Sequence, residues 1–215
     1  MRRTLYVCLF LILSARFVYS EAARRVEGNV LISDSLPAIR IQLSKEFHFI
    51  GSFPFRIRDM AAGERFVFVD GESNHVRKMF IVQFESILPE STEIYRYSFD
   101  NAIPIEGFRF RHNTFAFSIE QEIRENPQAE VATTQTFLDK KNYKIKDEWM
   151  VSRFLALGDE SRKSEMILFY MEPIASTGQR LEQFYDRDSP TEIWEKISKE
   201  LDARSRPAFQ VLTRN

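Results

Sequence analysis

The side chains suited to chemistry are few and scattered. The three histidines, His48, His75 and His112, show no His-x-His or Glu-x-x-His spacing, so no local metal-ligand pattern is present. His48 alternates with Phe47 and Phe49 and therefore faces away from both, beside Glu46 and Ile50. In that position it is either a polar residue of a solvent face or a hydrogen-bonding group or general base in a pocket. His75 falls in a connection between strand patterns, and His112 sits where the apolar phase of a run changes. Arg96, Arg109 and Arg111 interrupt aromatic runs and project opposite them. If their strands pair, they form a cationic cluster able to hold a carboxylate or phosphate by forked hydrogen bonds. Otherwise Glu93 and Glu106 balance them on an ordinary solvated face.

Carboxylates are plentiful, but an acid/base pair is defined in space, and no spacing here marks one. The phosphate-cradling motifs GxGxxG and GxxxxGK[ST] are absent, as are GxSxG, SxxK and HExxH. Asp186-Arg187-Asp188 opens like a calcium loop, yet Pro190 takes the fifth place and no glycine the sixth. No cofactor or metal is expected.

The first twenty residues carry the clearest signal. Arg2 and Arg3 precede a nine-residue apolar run, Leu5 to Leu13, with small residues at cleavage spacing near Ser20 and Ala22. This predicts a cleaved secretory signal over 1–20 and a single domain over 21–215, secreted or periplasmic. The run is about half of what a membrane-crossing helix needs, so no stable insertion is expected after cleavage. The only cysteine, Cys8, lies within the run and would leave with it, removing disulfides and thiolate chemistry from the mature chain. Loss of Arg2, Arg3 and Arg16 takes the formal charge from −1 to −4, a mildly acidic balance that argues against nucleic-acid binding.

Phenylalanine supplies the structural pattern. Of twenty in the chain, eighteen follow residue 20, many at alternate positions, as in Phe47/Phe49, Phe66/Phe68 and Phe108/Phe110. Ile39-Arg40-Ile41-Gln42-Leu43 alternates too, and Tyr95, Tyr97 and Phe99 repeat the pattern. Such alternation predicts antiparallel strands with one buried face. Asp70 to Asn74 reads as a hairpin connection. Phe108/Phe110 and Phe115/Phe117 have opposite parity, which predicts a turn or bulge at His112-Asn113.

Two runs are apolar on both sides. In Val76 to Phe84 the Val76, Phe80, Val82, Phe84 face is apolar, and Met79 and Ile81 make the other face apolar as well; Met166 to Met171 behaves alike. Both read as central strands covered twice, by helices on one face and by a second sheet, the curling sheet or a ligand on the other. Ser189-Pro190-Thr191-Glu192 predicts a helix from about Pro190 to Ala203, with Ile193, Trp194, Ile197 and Leu201 as its buried stripe. A shorter helix is expected after Ser118, ending before Pro127.

The expected fold is therefore α+β, a curved antiparallel sheet or partly open barrel of about eight to ten strands packed by a C-terminal helix. In outline it resembles lipocalin-like carriers, although their Gly-x-Trp signature is absent, so the likeness is of architecture alone. The expected function is a non-catalytic binding module for a small apolar or amphipathic ligand or a partner surface. Phe80, Phe84, Leu168 and Tyr170 would line the pocket, with Arg96, Arg109, Arg111 and His48 as polar contacts. The alternatives are a hydrolase or isomerase using His48 with a neighbouring carboxylate, and a structural component of the cell envelope.

Overall fold

A computed structural model describes residues 23–72, 75–187 and 189–212. The expected export signal, Ser73 and Asn74 of the hairpin tip, and residues 213–215 lie outside the described residues. The first eight strands are β1 (Arg24–Glu27), β2 (Val30–Ser33), β3 (Ile39–Leu43), β4 (His48–Ile57), β5 (Ala61–Glu72), β6 (His75–Ile87), β7 (Ile103–Ile105) and β8 (Phe108–Ser118). Two helices follow, α1 (Ile119–Glu125) and α2 (Glu130–Lys140), then β9 (Glu148–Leu157) and β10 (Ser164–Pro173). The chain closes with β11 (Tyr185–Asp186), β12 (Ser189–Pro190), α3 (Glu192–Ser205) and β13 (Phe209–Leu212).

The strands form a seven-stranded antiparallel sheet, β4-β5-β6-β10-β9-β8-β7, and a four-stranded sheet, β1-β2-β3-β13; a short β11-β12 ladder stands apart. Neither large sheet closes on itself, and the last helix is C-terminal, so the α+β reading with a curved open sheet holds. The doubly apolar strands β6 and β10 are neighbours at the centre, paired from Ser164↔Ser86 to Met171↔Met79.

Alternation sends the two faces of the large sheet to different covers. On one face Phe66, Phe68, Phe80, Phe84, Leu168 and Tyr170 pack against Leu31, Ile41 and Leu43 of the small sheet. Val211 of β13 and Trp194 and Leu201 of α3 complete this core. On the other face Val67, Met79, Ile81, Val151 and Met171 share a core with Ile119 of α1 and Leu138 of α2. Ser118 caps α1, its Oγ accepting from the Gln121 amide at 3.0 Å.

Several local expectations need correction. No turn interrupts β8: its register with β9 is unbroken from Arg111↔Leu155 to Ser118↔Glu148. Phe108 and Phe110 belong to the sheet-covered core, whereas Phe115 and Phe117 belong to the helix-covered one. The strand passes from one cover to the other, so its apolar side changes while its course does not. A bulge between Asp70 and Gly71 turns Val76 to the helix-covered face, away from Phe80.

Tyr95 to Phe99 is extended without a strand partner. The Arg162 side chain takes the place of a ladder, with Nε and Nη2 donating to the Tyr95 and Tyr97 carbonyls at 2.7 and 2.8 Å. Helix α3 begins two residues later than expected. Thr191, not Ser189, is its N-cap, because Ser189-Pro190 pairs with Tyr185-Asp186. Within its stripe Trp194 and Leu201 are buried, but Ile193 is exposed.

Candidate functional site

The helical cover of the large sheet is incomplete at one place. Every residue of β10 is buried except Phe169, which stands opposite Arg153 of β9, also half-buried. Around this pair α1, α2 and the β4–β5 turn form the rim of a hollow of about 660 Å³, within the size range of small-molecule sites. Its floor is apolar, made by Met79, Ile81, Val151, Ile167, Phe169 and Met171, with Phe115 and Phe117 of β8 and Val131 of α2 on the walls. Alternation on two-sided central strands places these side chains together, and short helices that stop beside them leave the space.

One side of the hollow is polar. Arg65 of β5 is almost wholly buried, yet four of its five N–H donors are engaged. Nε donates to Gln83 Oε1 at 2.6 Å, Nη1 to the Glu130 carbonyl at 2.9 Å and to Thr134 Oγ1, and Nη2 to Glu130 Oε2 at 2.7 Å. It also lies 5.4 Å from the Phe55 ring centre. Burial pulls its pKa below the usual value against the opposing pull of Glu130. These contacts tie α2 to the sheet at the edge of the hollow. Arg153 is held differently: Nε donates to Asn113 Oδ1 at 3.0 Å, and its guanidinium lies 5.5 Å from the Phe115 ring centre. Among the described residues it has no carboxylate within ion-pair distance.

Beyond Ile167 and Glu130 the hollow adjoins a smaller chamber of about 300 Å³. Four carboxylates, Glu85, Glu93, Glu130 and Glu165, line it with Gln83, Tyr95, Tyr97 and an apolar remainder. Glu85 and Glu165 are both buried and stand directly opposite each other on β6 and β10, which brings like groups close together. Glu85 is satisfied: its Oε1 accepts from the Tyr95 hydroxyl at 2.6 Å and its Oε2 from Gln83 Nε2 at 2.8 Å. Glu165 is only partly so: the Tyr97 hydroxyl interacts with its carboxyl, but its buried Oε2 has no hydrogen-bond partner among the described residues.

Burial, then the Glu85 charge, pushes the Glu165 carboxyl up to about 8. Burial raises Glu85 too, against the hydrogen bond from Tyr95. Tyr97 is pushed up to about 12, by burial and the Glu165 charge. Near neutral pH a carboxyl pushed up to about 8 is protonated and can donate a hydrogen bond or release its proton to solvent when a cation binds beside it.

The residues singled out from sequence fall elsewhere. Phe80, Phe84, Leu168 and Tyr170 are at most 1 % exposed and fill the core between the two sheets. They belong to the expected strands but point away from the hollow. Arg109 is exposed and donates to the Phe99 carbonyl at 2.6 Å. Arg111 lies 5.6 Å from the Tyr97 ring centre, and Arg96 is exposed. The three arginines thus do not converge on a cleft. His48 is exposed, its Nε2 3.1 Å from the Tyr143 hydroxyl. Arg65, Arg153, Glu85 and Glu165 were not marked by any motif. For three of them the signal was a charge at the edge of an apolar run: Arg65 before Phe66-Val67-Phe68-Val69, Glu165 before Met166 to Met171, and Glu85 after Phe84.

Two other constellations lack what a site requires. His112 Nε2 lies 2.9 Å from Ser152 Oγ and 3.2 Å from Asp202 Oδ1. A Ser-His-Asp relay uses both ring nitrogens, and here one nitrogen meets both partners. Ser152 and Ser205, 2.9 Å apart, are fully buried, so this network fastens α3 to β8 and β9. A larger hollow of about 970 Å³ beside α3 is edged by exposed lysines, including Lys144, Lys146 and Lys196. Of its two carboxylates Glu200 is exposed, and Glu172 is already paired with Arg204 at 2.8 Å and with the Tyr170 hydroxyl. Among the described residues no group of three His, Cys, Asp or Glu is arranged to hold a metal ion, and no helix is long and apolar enough to cross a membrane.

Compared with protein-family models, curated proteins and solved structures, the chain gives no match.

Proposed function

We propose that the protein is a binding module for a small amphipathic molecule, with the apolar part lying in the hollow over Phe169. The supporting observation is the uncovered middle of a strand that is otherwise buried along its whole length, opening into a hollow with an apolar floor and a polar end. Convergent polar groups at one end of an apolar cavity fix the orientation of a ligand. We further propose, from the first twenty residues alone, that the module works outside the cytoplasm.

Titration with the neutral apolar dye Nile red tests the binding reading. Saturable binding at one site per chain is expected. Val131→Trp, which fills the hollow from α2, should weaken it at least about 10-fold, whereas Phe84→Leu on the opposite face should leave it within about 2-fold. Melts of both variants establish that they are folded. Dye binding that is unsaturable, or that ignores Val131→Trp and responds to Phe84→Leu, overturns the reading and favours adsorption on an interaction surface.

A further inference from the structure

Glu165 poses a specific problem. It is 2 % exposed, faces the like group Glu85 across the β6–β10 ladder and leaves Oε2 without a partner among the described residues. An uncompensated buried carboxyl costs stability, and nothing in packing calls for one here, since the residues that follow it along β10, Met166 to Phe169, are apolar. The buried Glu85 and the half-buried Glu130 are engaged, and Glu93 is exposed to solvent. Both Glu85 oxygens accept hydrogen bonds, and Glu130 accepts from Arg65 at 2.7 Å and from Gln83 at 3.0 Å.

The chamber that Glu165 lines has a definite chemical character. Its polar wall is Glu85, Glu93, Glu130 and Glu165 with Gln83, and among the described residues no arginine, lysine or histidine lines it. Tyr95 and Tyr97 stand on the same wall, their rings stacked 5.9 Å apart and 12° from parallel. Carboxylates beside aromatic rings attract cations, by charge and by the negative ring faces together. Two guanidiniums stand near it without lining it: Arg65 is paired with Glu130, and Arg153, held by Asn113 and over Phe115, faces Glu165 with no carboxylate at ion-pair distance among the described residues.

We propose that this chamber takes the head group of the ligand, and that the head group is an organic cation, a protonated amine, held by Glu165 and Glu85 beside Tyr95 and Tyr97. The inference rests on the hollow over Phe169 holding the ligand's apolar part, since the two spaces share the walls Ile57, Met60, Glu130 and Ile167. The cation supplies the partner that Glu165 Oε2 lacks and offsets the repulsion between the facing carboxylates. The groups facing Glu165 are Glu85 from β6, Glu130 from α2, Arg153 from β9 and Tyr97 from the extended segment. Capture of the cation ionises Glu165, so one proton is released on binding.

Competition against Nile red with octylammonium, octanol and octanoate tests the head group with the tail held constant. At pH 7 octylammonium should bind at least about 10-fold more tightly than octanol, and octanoate more weakly than both. Raising the pH from 6 to 8 should tighten octylammonium binding, because the amine keeps its charge throughout while Glu165 gives up its proton. Octanol binding should not change. Glu165→Gln should remove both the amine preference and its pH dependence while leaving octanol affinity within about 2-fold, which separates loss of the head-group site from loss of the fold. Octanol equal to octylammonium, or octanoate tightest, overturns the cation proposal while the hollow stands. Failure of Nile red and all three probes overturns both.

Discussion

On one face of the seven-stranded sheet Phe80 meets Phe47, Tyr170 and Phe209 edge to face or tilted, at 5.8 to 6.5 Å. On the other face, one residue along β10 from Tyr170, Phe169 looks over a hollow. The same two strands supply both environments. The difference lies in the cover. A sheet laid on a sheet buries side chains continuously across its width, and α3 with Trp194 closes the remaining edge. Two helices of seven and eleven residues cannot span seven strands, and the region they miss is where Arg153, Glu85 and Glu165 gather, with Arg65 tied to α2 at its edge. The sealed face carries stability, and the part-covered face carries the polar groups that a sealed core would not tolerate.

The largest test of this contrast is Phe80→Ala, which should destabilise by about 3–5 kcal/mol because it opens a void in a core with no room to relax. Phe169→Ala should cost about 1 kcal/mol, since one side of its ring already faces the hollow. Denaturant melts of the two variants compare the faces directly, and equal losses would mean that the hollow is closed.

The next effect concerns protons. The Glu165 carboxyl titrates near 8 in the folded chain and at its ordinary value of 4.5 when unfolded, so the folded state binds the extra proton between these values. The stability it supports is fully present below about pH 4.5 and is lost as pH rises through about 8. The difference is about 3–5 kcal/mol across the window. Glu165→Gln should flatten that slope. Melts from pH 5 to 9 read it, and a slope unchanged in the variant would assign it to other groups. The smallest effect is Arg109→Ala, expected within about 0.5 kcal/mol for an exposed side chain. It should also leave Nile red affinity unchanged, because Arg109 lies away from the hollow.

Much of the sheet was legible in the chain, and the reason is periodicity. Alternating phenylalanines marked β4, β5 and β8, and the two-sided apolar runs marked β6 and β10 as the central pair. The direction of each face was not legible. Period-two patterning says that Phe80 and Ile81 point opposite ways, and both are apolar, so it cannot say which meets a second sheet. Partners far apart in sequence decide that, among them β3 and β13, paired from Phe209↔Leu43 to Leu212↔Arg40. The phase change in β8 misled for the same reason, since a strand that moves from one cover to another looks like a strand that turns. Glu85 and Glu165 show the limit most plainly. They are eighty positions apart in the chain and opposite each other in the sheet.

The most direct test of the account is a crystal structure of the protein with 8-bromooctylammonium, in which the bromine's anomalous signal marks the tail and the ammonium marks the head. The bromine is expected over Phe169 in the hollow, with the ammonium within hydrogen-bond distance of the Glu165 carboxylate. A bromine lodged between the two sheets beside Phe84, or an ammonium turned away from Glu165 toward solvent, would contradict it.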